Sequence, residues 1–239
     1  MSRMFSVLSL AVAVTSGCAS LPPHGQLALA PLPPGVDWSR PVAVDVDAGA
    51  GSVFIEFDDA LKEPQVVAMT DGPEGRRVAA SWAATSVEAA EPHPIFRVLA
   101  VDEGDAAADV VIRVPRCAGL RVRNIAGGVR VIGAAGAIDV QSGSDVTPGG
   151  NVSVSLAEPL DAPLLVRSAS GQVHLDLPAG SRGVFALTSG IGMTSFLAPE
   201  EELTGASGTH GEWRGVLNGG EHECRVIADN ARVEVRVRR

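Results

Sequence analysis

One short pattern, written three times between Leu120 and the end of the chain, limits the fold more than any other feature. Leu120–Val131, Leu164–Leu175 and Cys224–Val235 align without a gap. In each copy a pair of alternating apolar positions is followed by a small-residue turn and a second alternating pair. The period is therefore two and the elements are strands. Ile138–Val146 and Phe185–Met193 are weaker copies of the same pattern. A repeat this short cannot bury an apolar face alone and must stack on its neighbours. The expected fold is all-β, a β-solenoid-like stack of repeats or a closed antiparallel array such as an antiparallel β-sandwich, and the pattern by itself leaves parallel and antiparallel strand order both open.

The pattern also assigns sides. Inward candidates are Leu120, Val122, Val129 and Val131 in the first copy. Leu164, Val166, Val173, Leu175 and Leu177 follow in the next clear one, and Val226, Val233, Val235 and Val237 in the last. The alternate positions Arg121, Arg123, Arg130, Arg167, His174, Arg225, Arg232, Glu234 and Arg236 then face outward. The turns carry Gly127, Gly128, Gly143, Gly171 and Gly190, which accept a positive φ, with Asn230 in that role in the last copy. Irregular excursions at Pro148–Asn151, Ala157–Pro163 and Pro199–Gly211 separate the copies. In repeat proteins such excursions gather on one face, often the binding face.

Upstream, Val42, Val44 and Val46 alternate, as do Val53, Ile55 and Phe57 after Ala48–Gly51, and read as two strands joined by a Gly-containing turn. Gln65–Thr70, Arg77–Ser86, Ile95–Val101 and Asp109–Val114 are further strand candidates, separated by turn-forming residues. The texture tightens at Pro115. Residues 37–115 therefore form an N-terminal β region and 116–239 the repeat stack, together one continuous unit. With 27 Gly, 16 Pro and 20% charged residues in 239, many short strands and tight turns are expected and long helices are not.

Residues 1–17 hold Arg3, an apolar run from Met4 to Val14 and then Thr15, Ser16 and Gly17. The run is about half of the ~20 residues that a membrane-spanning helix needs, so it reads as an export signal. Ser16-Gly17-Cys18 resembles a bacterial lipoprotein box, although Thr15 stands where that box usually has Leu. The resemblance implies a lipid on Cys18; ordinary signal cleavage near Ser20 is the other reading. Residues 18–36 include Pro22, Pro23, Pro31, Pro33 and Pro34 and form an extended tether. At ~3.1 Å per residue it would hold the folded part on the order of 50 Å from a lipid anchor. The expected location is the cell envelope, lipid-anchored at the outer membrane or cell surface, otherwise periplasmic or secreted.

The repeat region resembles the bacterial adhesin-like domain of unknown function found in exported and envelope proteins. The residues that carry the resemblance are Val111–Pro115 leading into Leu120-Arg-Val-Arg, the Ser/Asn-x-x-Gly-x-Val turns, Ser168–Pro178 and the closing Asp229–Val235. It spans roughly residues 42–237. It implies a right-handed parallel β-solenoid-like fold, adhesive or structural roles and no catalytic residues to carry across. The chain departs from the pattern in lacking Gly at the last turn and in the long insertions before Cys224.

Chemistry-bearing patterns are sparse. His24, His93, His174, His210 and His222 include no pair four residues apart and no metal-ligand spacing, so no metal or other cofactor is expected. His174 and Asp176 share a strand face. The Gly-rich turns lack the Gly-x-x-x-x-Gly-Lys of a phosphate loop. Asp58-Asp59 and Glu200–Glu202 read as solvated loop charge. The formal charge of -9, with no global basic excess, argues against a nucleic-acid partner. Stacked in register, Arg121, Arg123, Arg130, Arg167 and Arg225 fall on neighbouring rungs as a strip for an anionic glycan or lipid headgroup, or as a solvated face paired with acidic residues. The expected function is structural or surface-binding, with the membrane, an envelope glycan or another surface protein as partner; a polysaccharide hydrolase or lyase is the alternative.

Cys117 and Cys224 remain once Cys18 is assigned to lipid. If the copies near 120, 138, 164, 185 and 224 are successive rungs, the two lie about four rungs or roughly 19 Å apart, beyond the ~7 Å a disulfide spans. No bond between them is expected. Cys224 is read as a small buried hydrophobe.

Overall fold

The computed structural model describes residues 26–28, 37–70, 78–83, 94–100 and 108–238. Cys18, residues 1–17 and the tether apart from Gln26–Ala28 lie outside the described residues. The strands before Pro115 are β1 (Gln26–Ala28), β2 (Val42–Ala50), β3 (Val53–Phe57), β4 (Gln65–Thr70), β5 (Val78–Ala83), β6 (Ile95–Ala100) and β7 (Ala108–Val114). After it come β8 (Cys117–Ala126), β9 (Val129–Ala134), β10 (Ala137–Ser142), β11 (Val152–Leu156), β12 (Leu164–Ser168) and β13 (Val173–Leu177). The last are β14 (Gly183–Ser189), β15 (Thr194–Leu197), β16 (Leu203–Thr209), β17 (Glu212–Leu217), β18 (Glu223–Ala228) and β19 (Val233–Val237).

These strands form two facing sheets. One runs β1-β4-β7-β3-β9-β11-β13-β19-β15 and the other β16-β17-β14-β18-β12-β10-β8-β2-β6-β5. Each repeat contributes its first alternating pair to the second sheet and, after the turn, its second pair to the first sheet. A rung is thus one strand from each. Pairing between rungs is parallel and in register, which stacks like on like. Phe96, Val44, Leu120, Ile138, Leu164, Cys224 and Phe185 make one inner column. Ile112, Ile55, Val131, Val154, Leu175, Val235 and Phe196 face it from the other sheet. β-branched side chains suit this surface because their stiff χ1 rotamers interdigitate on a pleated, half-buried face. Every inward candidate of the three copies is buried. Each fully buried Val or Leu contributes about 1.5–3 kcal/mol. A one-residue slip would instead drive Arg121 and Arg123 into the core, so the alternation fixes the register.

The order of rungs departs from the chain order. The rung β18–β19 does not follow β14–β15 but lies between it and β12–β13, since β18 pairs with both β12 and β14 and β19 with both β13 and β15. The same exchange occurs at the other end, where β2–β3 lies between β6–β7 and β8–β9. The expected succession 120, 138, 164, 185, 224 is corrected to 120, 138, 164, 224, 185. Cys224 therefore stands three rungs from β8, roughly 14 Å at a ~4.8 Å spacing, and both Cys117 and Cys224 are free thiols. The cause is physical: the inner positions are nearly interchangeable, so pairing energy alone does not distinguish one neighbour from another. The connections decide.

Antiparallel strands close the stack. β4 pairs with β7 and β1 with β4; β5 pairs with β6; β17 pairs with β14 and β16 with β17. The fold is all-β, mostly parallel with antiparallel strands at its ends. Among the described residues no helix is long and apolar enough to cross a membrane.

Candidate binding surface

In four rungs the turn between the two strands is built around a buried polar side chain, while Ala48 and Ala228 hold the equivalent position in β2 and β18. Asn124, Ser142, Ser168 and Ser189 occupy equivalent positions and all are buried. Each donates to the turn of an adjacent rung: Asn124 Nδ2 to the Gly51 carbonyl at 3.0 Å, Ser142 Oγ to Gly127 at 2.6 Å, Ser168 Oγ to Gly150 at 2.8 Å and Ser189 Oγ to Ala231 at 2.8 Å. The serines also accept from their own turns, at Gly150 N, Gly171 N and Met193 N. Backbone groups that the tight turn would strand in the interior are thereby paired. This explains the Ser/Asn-x-x-Gly-x-Val pattern. Gly127 has φ +106° and a Cβ there would lie 2.2 Å from the Gly51 carbonyl oxygen, so rung contact as well as turn geometry excludes a side chain. Asn230 was expected to supply a positive φ in the last turn; the positive-φ non-glycine among the described residues is Asn218 instead. Asn230 donates from Nδ2 to the Ala169 carbonyl at 3.1 Å.

The structure divides the five arginines. Arg121, Arg123, Arg167 and Arg225 lie on the outer face of the β8–β10–β12–β18 sheet, but Arg130, on β9 after the turn, lies on the opposite sheet. It stands over the Phe54 ring, 5.8 Å from the centroid. The other four meet acids. Asp45 receives Arg97 at 3.3 Å and Arg121 at 3.1 Å. Arg123 reaches Asp139 at 2.9 Å, and Arg225 reaches Glu223 at 2.6 Å. Arg167 Nη2 bridges Asp229 at 2.9 Å and Asp145 at 3.3 Å. Contacts this exposed contribute about 0–1 kcal/mol each; across the four strands β6, β2, β8 and β10 the register alternates Arg97, Asp45, Arg121 and Asp139 in sign. On the other sheet His174 Nε2 lies 3.3 Å from Asp176, and Glu234 is shared by Arg232 at 3.1 Å and Arg236 at 3.3 Å. Among the described residues no group of three or more His, Cys, Asp or Glu side chains is placed to hold a metal ion.

A concave site appears at the turn edge. The β10–β11 connection spans residues 143–151, against 169–172 for β12–β13 and 229–232 for β18–β19. The longer loop stands up as a wall. Ala169 and Ser170 form the floor, Asp229 and Asn230 the far wall, and Asp145, Thr147 and Pro148 the near one, enclosing about 420 Å³. Arg167 ties the walls together. Hydrogen bonding to Asp229 raises its pKa above the ordinary guanidinium value, with the charges of Asp229 and Asp145 adding to the effect. Val146 is 92% exposed at the loop tip. The sequence marks the excursion at Pro148–Asn151 and puts Asp229 and Asn230 at the last turn, but these two reach the site only because β18–β19 sits beside β12–β13. At the opposite edge a second hollow of about 580 Å³ is bordered by Phe57, Asp58, Arg116, Cys117 and Glu158. There burial pushes the Cys117 thiol up to about 11, and it donates to the Ala135 carbonyl at 3.1 Å.

No protein-family model matches the sequence, and no curated protein does. Among solved structures, the chain is similar to a cell adhesion protein candidate from Clostridium sporogenes, at a TM-score of 0.58 and 8% identity over 90% of this chain and 99% of that one. At that identity the likeness shows the fold alone. An adhesin candidate from Bacteroides fragilis aligns over 84% of this chain and 94% of its own with 11% identity, but its TM-score of 0.33 carries no argument.

Proposed function

We propose that this chain is a non-catalytic envelope protein, a right-handed β-solenoid-type module that presents a binding surface at its turn edge. In this reading a lipid on Cys18 and the 18–36 tether hold the stack away from a membrane. The observation that carries it is the groove over the turns of three rungs, where Asp145, Ser170, Asp229 and Asn230 converge from distant parts of the chain. The adhesin-like resemblance and the fold shared with a cell adhesion protein candidate support a surface role. A groove of this size suits a small ligand or a short stretch of polymer. Its two carboxylates against one guanidinium disfavour an anionic ligand, and its amide, hydroxyl and carboxylate oxygens suit the hydroxyls of a neutral envelope glycan. The arginine ladder is read as locking rungs together.

The test is a screen of the full chain against neutral and anionic envelope polysaccharides, scoring retention and new reducing ends together. Retention of a neutral glycan, lost in Asn230→Ala and without turnover, is the expected result. Turnover would replace this reading with the hydrolase or lyase alternative. Membrane fractionation of Cys18→Ser tests the anchor separately, with release into the soluble fraction expected.

A further inference from the structure

We infer that the protein pairs with a second copy of itself through the end of the stack formed by β15, β17 and β16. At this end the two sheets stop at different heights. One finishes at β15, beside β19, while the other continues past β14 through β17 and β16. A ledge two strands wide therefore stands with no strand of the opposite sheet beneath it among the described residues. Exposure agrees: Thr204–Thr209 of β16 are exposed on both faces of the strand.

The ledge is furnished for contact. Trp213 of β17 lies along its inner side, stacked on Phe196 of β15 with ring centroids 4.3 Å apart and planes 9° apart. Gly208 and Gly215 leave the ring its place, since a Cβ at Gly215 would come within 2.7 Å of it. Leu197 of β15 and Ile191 and Met193 in the turn before it are each about half exposed, at 47%, 54% and 51%. The edge of β15 is open as well. The Met193 carbonyl accepts from Val233 N at 2.9 Å, so the groups of Met193 and Ser195 face β19 and those of Thr194 and Phe196 face outward. No backbone partner meets them among the described residues.

A step of two strands fits a step of two strands. Rotation by half a turn about an axis along the strands exchanges the two sheets and inverts the stacking direction. The ledge of each copy then fills the space beyond β15 of the other. The chain turns back on itself between β14 and β15. Because β17 is antiparallel to β14 and β16 to β17, β16 of the mate lies antiparallel beside β15. Both sheets become continuous through the joint. A short peptide would fill one strand position; a second copy fills all of them. Neither Thr194–Leu197 nor Leu203–Thr209 carries a charge, whereas edges that avoid pairing commonly place Lys or other charges there. Two strands at ~4.8 Å spacing cover about 200 Å² in projection, and the joint with its edges buries on the order of 1,000 Å² in total. That is at the lower limit for a specific interface, so the dimer is weak. Glu200, Glu201 and Glu202 precede β16 in both copies and come close together, so added salt strengthens association.

Sedimentation equilibrium of the full chain, at about 5 to 500 µM and in about 0.05 and 0.5 M NaCl, tests this. A monomer–dimer equilibrium several-fold tighter at the higher salt is expected. Ala206→Lys, an exposed position on the ledge, weakens it at least tenfold, whereas Ile125→Lys, 58% exposed on another part of the surface, leaves it unchanged. A monomer throughout, a dimer indifferent to Ala206→Lys, or growth beyond a dimer overturns the inference.

Discussion

Replacing Ser168 with alanine removes one hydroxyl from the buried turn ladder and leaves the alternating apolar core untouched. Ser168 is fully buried; its Oγ donates to the Gly150 carbonyl at 2.8 Å and accepts from Gly171 N at 2.8 Å. The variant leaves one buried acceptor and one buried donor unpaired. At about 1–3 kcal/mol for each such group, and with some relaxation of the turn, the loss is about 2–4 kcal/mol. For a domain of this size that lowers the melting temperature by roughly 5–12 °C. Urea unfolding followed by circular dichroism measures it, with Ser153→Ala as the reference. Ser153 lies at an outward-facing position of β11, and its loss is expected to stay within about 0.5 kcal/mol. Equal midpoints for the two variants would mean that the hydroxyl ladder does not hold the turns, and that steric fit of the glycines alone explains the motif.

Stability falls at alkaline pH. Desolvation raises Cys224 from 9.0 to about 12 and Cys117 to about 11, so below pH 9 both states keep their thiols protonated, and above it the unfolded chain ionises first. The loss from Cys224 by pH 10.5 is about 2 kcal/mol. The chain has no Tyr to obscure it, and Cys224→Val removes that part of the slope in denaturant titrations. Gly183→Ala is destabilised by about 1–3 kcal/mol because its Cβ would meet Cys224 Sγ at 2.6 Å, and pairing it with Cys224→Ala recovers part of the loss in a double-mutant cycle. Arg167→Ala changes global stability by less than about 1 kcal/mol but speeds amide exchange in residues 143–150, because the tie from Asp145 to Asp229 is cut.

Strand identity and the inward set were legible because alternation is a property of each residue with its near neighbours. Val122, Val131, Leu175 and Val235 declare their side wherever the rung is placed. Alternation alone groups Arg130 with Arg121 and Arg123 in one strip, yet Arg130 follows the Gly127-Gly128 turn while they precede it, and crossing that turn means crossing to the other sheet. The order of rungs was not legible. Leu164 accepts Cys224 above it as readily as Phe185, and no local pattern records which arrives. The groove depends on that order, because Asp229 reaches Arg167 only when β18 lies against β12. The two-strand ledge was hidden for a similar reason. Leu203–Thr209 has too few large apolar residues to read as a strand until β17 pairs with it.

The exchanged rungs also matter under mechanical load. In a stack wound in chain order, tension on a chain end peels the outermost rung, and its hydrogen bonds fail one after another. Here β18–β19 and β2–β3 each enter one position inside the stack and are held along both edges by parallel neighbours. Drawing either rung out along its strands puts its ladders in shear, so their hydrogen bonds must yield nearly together. The outermost rungs come from β6–β7 and β14–β15, segments that a pull on the chain ends does not reach first. Once the three-residue edge strand β1 has peeled from β4, tension between the two ends of the described chain is therefore borne by clasped interior rungs, and the stack resists being unravelled from its tips.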